Sequence, residues 1–143
     1  MEFYNSSKEK IEIPAQVFAR ANQINHGKCG SVYKYGNQCI KLYNQTMNMS
    51  WNRLSKVMYK KLKAIPSPSL VNITDILYKE KKDYIVSGYI MDYYPKTDDD
   101  ILEYPTEYLL RNAHNFLEIS ANCSSKKIKL LDIRMANVLI TKN

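Results

Sequence analysis

Residues that favour strands gather in runs separated by turn formers through the first third of the chain. Val32 to Tyr35 and Gln38 to Tyr43 flank Gly36-Asn37, a two-residue hairpin signal. Upstream, Gly27 and Gly30 follow a short strand near Gln23-Ile24. The pattern predicts strand, glycine turn, strand, tight turn, strand. Leu70 to Tyr78 and Asp83 to Asp92 predict a fourth and a fifth strand, joined by the charged turn Lys79-Glu80-Lys81-Lys82.

Between the third and fourth strands the apolar spacing becomes helical. Trp51, Leu54, Met58, Leu62 and Ile65 recur on one face of a helix expected over Met49 to Ile65. Ser50 is positioned to cap it, and Pro66 and Pro68 end it. Arg53, Lys56, Lys60 and Lys63 take the opposite face, a solvated surface or a dock for an acidic partner or nucleic acid. A second helix is expected over Tyr104 to Ala121, with Tyr108, Leu109, Ala113, Phe116, Leu117 and Ser120 as its stripe. Residues 1–10 are polar and expected to fray, and Ile11 to Arg20 is an ambiguous apolar segment leading into the first strand. No internal repeat and no Pro/Gly/Ser-rich linker interrupts the chain.

Composition narrows this picture modestly. The 143 residues are 45% hydrophobic, which suits one packed domain and excludes a disordered chain. A net charge of +7 favours anionic partners, or serves solubility alone. No stretch reads as a signal peptide or a membrane span, so no membrane partner is expected. Cys29, Cys39 and Cys123 form no metal or disulfide spacing and read as free thiols of a reducing, cytoplasmic compartment. His26 and His114 make no metal motif. The acidic stretch Lys96 to Glu103 reads as a solvated loop.

Candidate chemistry sits on the first three strands. Glycines at a strand turn let backbone N–H groups approach a phosphate with no Cβ in the way. Lys41 on the third strand can supply a positive charge to the same phosphate. The bland alternative is an ordinary hairpin with a solvated lysine. Two stretches favour the first reading. Asn25-His26-Gly27-Lys28-Cys29-Gly30-Ser31-Val32 with Cys39-Ile40-Lys41 resembles the glycine-rich loop and strand lysine of the protein-kinase family. Leu130-Leu131-Asp132-Ile133-Arg134-Met135-Ala136-Asn137, followed by Val138 to Ile140, resembles that family's catalytic loop. Asn25 replaces the first glycine of the loop, and two leucines replace the His-Arg before Asp132.

The resemblance implies an α+β fold: a kinase-like small lobe over residues 1–95, with a five-stranded antiparallel sheet and helix C, then a truncated helical large lobe over 96–143. It implies ATP held by Gly27, Gly30, Val32 and Lys41, with Met91 at the back of the pocket and Asp92, Tyr93 and Tyr94 as the hinge. Asp132 and Lys41 become the catalytic residues and Asn137 a ligand of Mg2+, with a protein hydroxyl as phosphate acceptor. Transfer by this chain alone is expected to be weak or nil. No acidic residue between Lys41 and Asp75 can pair with the lysine, and the chain ends before the family's second metal ligand. The missing helices of the large lobe would leave the second helix's stripe open to a homodimer or a protein partner. The rival readings are a pseudokinase that binds and regulates, and a basic module for nucleic acid or an acidic protein; nucleic acid is the less expected partner.

Overall fold

A computed structural model describes residues 1–44, 53–65, 67, 70–95 and 105–128. Two compact units emerge. The first is Met1–Lys63 with Val71–Tyr93, the second Ala64–Leu70 with Tyr94–Asn143.

The first unit is an antiparallel sheet between two covers. β1 (Glu2–Tyr4) and β2 (Lys10–Glu12) form a hairpin, followed by two 3-10 turns at Ala15–Phe18 and Arg20–Asn22. β3 (Gln23–Gly27), β4 (Gly30–Tyr35), β5 (Gln38–Tyr43), β6 (Ile73–Leu77) and β7 (Gly88–Asp92) form a five-stranded sheet in the order β3-β4-β5-β7-β6. All neighbouring pairs run antiparallel. The β4–β5 turn is made by Gly36, at φ 60°, and Asn37, which keeps negative φ; this is the pattern of a II′ hairpin turn, whose twist suits the flanking strands.

Because side chains alternate between faces, the register assigns each residue a side. Tyr33, Ile40 and Ile90 lie opposite one another across β4, β5 and β7 on the outer face. Ile40 and Leu77 pack there with Phe3, Ile13 and Val17 from the N-terminal segment. The expectation of a frayed N-terminus is therefore corrected. Phe3 is buried, and Tyr4 exchanges backbone hydrogen bonds of 2.9 and 2.8 Å with Tyr78. One buried aromatic and one bridge hold a segment whose other residues are polar.

The inner face is covered by α1 (Lys56–Lys63). Its buried residue is Tyr59, which packs with Ile76, Tyr78 and Val86 and donates its hydroxyl proton to the Thr74 carbonyl at 2.8 Å. The helix is shorter than the expected Met49 to Ile65. Arg53, Leu54 and Ser55 are not helical, and Met49 to Trp51 lie outside the described residues. The cap is Ser55, whose hydroxyl accepts from the Met58 N–H at 3.1 Å. The expected stripe of Trp51, Leu54, Met58, Leu62 and Ile65 missed Tyr59, the buried residue of the helix, although Ile65 past its end is also buried.

β6 and β7 are also shorter than the fourth and fifth strands expected. Residues 79–87 form a loop instead, anchored by the Ser87 N–H on the Leu77 carbonyl at 2.8 Å. In the second unit, α2 (Thr106–Ser125) runs later than the expected Tyr104 to Ala121. It buries Ile119 and Cys123, whereas Phe116 and Leu117 of the expected stripe are exposed. Among the described residues no helix is long and apolar enough to cross a membrane.

Candidate functional site

The inner face of the sheet brings together side chains that the sequence separates. Val32, Lys41 and Tyr89 form one row across β4, β5 and β7, and Lys34, Cys39 and Met91 form the next. Cross-strand partners share a face, so Val32, Cys39, Lys41 and Met91 make one continuous patch. Three of the four were expected at a nucleotide site. Cys39, Tyr43 and Tyr89 were not, although their two-residue spacing or cross-strand pairing with Lys41 puts them on its face.

The Lys41 ammonium lies 5.8 Å from the centre of the Tyr43 ring and 5.7 Å from that of Tyr89. The two rings meet edge to face with centroids 6.0 Å apart. Both stay neutral: burial pushes the Tyr43 and Tyr89 hydroxyls up to about 12. The Tyr43 hydroxyl accepts a hydrogen bond from the Leu54 N–H at 2.9 Å, which joins the segment leading into α1 to β5. Among the described residues the ion pairs are Lys10–Glu2 and Lys82–Glu80, so two aromatic faces stand beside Lys41 where the family resemblance implies a glutamate. Burial also raises the Cys39 thiol, which makes it an apolar wall element more than a nucleophile.

The glycine hairpin is tied down. Gly27 and Gly30 pair across the turn Lys28-Cys29. The Asn44 N–H donates to the Cys29 carbonyl at 3.2 Å, and its side chain donates to the carbonyls of Lys28 and Gly27 at 3.0 and 3.4 Å. The two glycines differ. A Cβ at Gly30, where φ is 154°, would stand 2.1 Å from the Leu42 carbonyl oxygen, so β4–β5 pairing alone demands glycine there. A Cβ at Gly27 would meet nothing within 4 Å, which leaves open space beside that residue.

At the end of β7 the backbone donors are already engaged. The Asp92 N–H donates to the Asn72 carbonyl and the Tyr93 N–H to the Asn37 carbonyl, each at 3.0 Å. Within the expected hinge, the Tyr93 N–H is thus occupied by the β4–β5 turn. Lys34 lies over the Tyr93 ring at 4.6 Å. Tyr94 belongs to the second unit. Asp132 and Asn137, expected to act on the nucleophile and on Mg2+, lie outside the described residues. Among the described residues no group of three or more His, Cys, Asp and Glu side chains could hold a metal ion.

Neither a scan against protein-family models nor a search of curated proteins matches this chain.

Proposed function

We propose that the chain is a kinase-like ATP-binding protein whose first unit acts as the small lobe, with the inner sheet face as its nucleotide site. The observation that carries this reading is the patch of Val32, Cys39, Lys41 and Met91 on the α1-covered face of a sheet ordered β3-β4-β5-β7-β6. Val32, Cys39 and Met91 supply an apolar wall for a flat base. Lys41 supplies the charge for phosphates, and the open space at Gly27 leaves room beside the hairpin. With the Asp92 and Tyr93 N–H groups engaged, base recognition rests on apolar contact more than on those two donors.

The environment of Lys41 favours binding and regulation over rapid transfer. Tyrosine rings hold an ammonium in place, but they do not orient it as a carboxylate hydrogen bond does. Phosphoryl transfer depends on such positioning and charge neutralisation. Calorimetry with ATP should show binding, weakened at least about tenfold by Lys41→Ala, the scale of a lost charge-assisted hydrogen bond. Equal affinities for the two proteins, or no binding by wild type, would remove the reading. Transfer of labelled γ-phosphate should be slow or absent. Robust turnover abolished by Asp132→Asn would instead make the protein an active kinase.

A further inference from the structure

A second exposed group of cations in the first unit lies at the loop between β6 and β7. Lys79, Lys81 and Lys82 are exposed there. The same loop lifts Tyr84 to 95% and Ile85 to 58% exposure, although Val86 beside them is buried. An aromatic ring left almost wholly in water next to three lysines has no role in the packing of this unit.

Two neighbouring segments hold the loop and add charge. Lys8, in the β1–β2 turn, donates to the Asp83 carbonyl and lies 3.2 Å from the centre of the Tyr78 ring. Lys56 at the start of α1 donates to the Ser6 carbonyl at 2.8 Å. Two shallow, open depressions adjoin the loop. One is lined by Arg53, Lys79, Lys82, Tyr84 and Ile85 with Asp83 and Ser87, the other by Lys79, Lys81 and Lys82 with Glu2, Tyr4 and Glu80. The carboxylates are partly spent inside the loop. Asp83 accepts the Glu80 N–H at 2.8 Å, and Glu80 stands 3.8 Å from Lys82. Cations therefore outnumber carboxylates along both depressions and the segments that hold them.

We propose that this loop face binds single-stranded nucleic acid, with phosphates on Lys79, Lys81 and Lys82 and an unpaired base stacked on Tyr84. Single strands are gripped by this combination, a cationic surface that follows the backbone and an aromatic face that accepts any base. Duplex bases are stacked on one another and cannot use the ring. An acidic peptide would satisfy the lysines and leave Tyr84 without a partner. The ligand of this loop face is a polymer, not a mononucleotide.

The test is fluorescence anisotropy of a labelled oligothymidylate with the full chain, across a salt series from about 50 to about 200 mM. Tyr84→Ala should weaken binding about tenfold, within the range for one stacked base, and leave the salt slope unchanged. Tyr84→Phe should restore the affinity. The triple change K79Q/K81Q/K82Q should flatten the log–log salt slope by about 2, since each single-strand phosphate contact contributes about 0.7. Thermal melts should match wild type, because all four side chains are exposed. No oligonucleotide binding, or affinity indifferent to Tyr84→Ala, overturns the proposal. Retention on phosphatidylserine vesicles or on an acidic peptide, without oligonucleotide binding, does the same and reassigns the face. Equal weakening by K126Q/K127Q in the second unit would reduce the effect to bulk charge and also overturn it.

Discussion

The two faces of the five-stranded sheet come from the same strands, each holds a hydrophobic cluster, and they differ in what lies beside that cluster. The outer face is closed by Phe3, Ile13 and Val17 over Ile40 and Leu77, all buried hydrocarbon. The inner face has Lys41 in its middle, two half-buried tyrosines beside it, and a helix of eight residues over part of it. A face built only for stability has no reason to hold an ammonium among aromatic rings. Burying hydrocarbon stabilises without positioning any charge, while the inner arrangement spends packing on orienting one. The strip around Lys41 should therefore carry the ligand chemistry, while the outer face serves stability alone.

The largest effect that could break this division is in the outer core. Ile40 is fully buried. Ile40→Ala should cost about 2–5 kcal/mol by urea denaturation. Its folded fraction should still bind ATP with wild-type affinity. Lys41, the next residue, should behave in reverse: Lys41→Ala should keep the denaturation midpoint within about 0.5 kcal/mol and lose nucleotide. An Ile40→Ala protein that is stable, or a Lys41→Ala protein that unfolds, contradicts the assignment of faces.

A smaller effect concerns the inner tyrosines and pH. Tyrosine hydroxyls ordinarily titrate near 10, and burial pushes those of Tyr43 and Tyr89 to about 12. The unfolded chain releases these protons first, so alkali favours unfolding. This stabilisation is fully present below pH 10 and is lost as the pH rises toward about 12. Its upper bound is roughly 3 kcal/mol per tyrosine, less what solvent reaching these half-buried rings screens. Urea midpoints across this range should fall, and Tyr89→Phe should fall less steeply than wild type. Identical profiles would mean that the Tyr89 ring is not sealed in the inner face.

The cap of α1 sharpens the comparison at lower cost. Ser55→Ala removes the acceptor for the Met58 N–H and should cost about 1 kcal/mol. Nucleotide affinity should fall little, because the Tyr59 hydroxyl still holds the helix to Thr74. A loss of affinity as large as that of Lys41→Ala would show that the first turn of α1 shapes the site directly.

Much of the sheet was legible because hairpin signals are local. Gly36-Asn37 sets the β4–β5 turn, and the Gly27–Gly30 spacing sets the β3–β4 turn. The inner patch was legible in part, through Val32, Lys41 and Met91. Cys39, Tyr43 and Tyr89 required the register across strands, which no single stretch of sequence states. The N-terminal cover was invisible because one phenylalanine among polar residues gives no periodicity. The start of α1 was misplaced because Leu54 suits the helical spacing as well as it suits the extended segment that contacts Tyr43. The engagement of the Tyr93 N–H by Asn37 is a contact across 56 positions and leaves no trace in local composition.

The smallest effect tests the glycine stretch itself. Ser31 lies between Gly30 and Val32, inside the motif that suggested a phosphate-binding turn. The register puts it on the outer face: it pairs with His26 and with Leu42, and its hydroxyl lies 2.8 Å from the His26 Nδ1 and accepts from the Gln23 side chain at 3.3 Å. Gln23, His26 and Ser31 thus form a small polar cluster at the edge of the outer face. His26 is exposed, so water replaces the lost bond when the hydroxyl is removed. Ser31→Ala should therefore cost only about 0.5 kcal/mol, the low end for a neutral hydrogen bond. Its ATP affinity should equal that of wild type, whereas Val32→Ala, one residue on and on the inner face, should weaken binding several-fold at similar stability. Calorimetry on both variants decides it: a tenfold loss in Ser31→Ala with Val32→Ala unaffected would move the ligand to the outer face and reverse the roles of the two sides of the sheet.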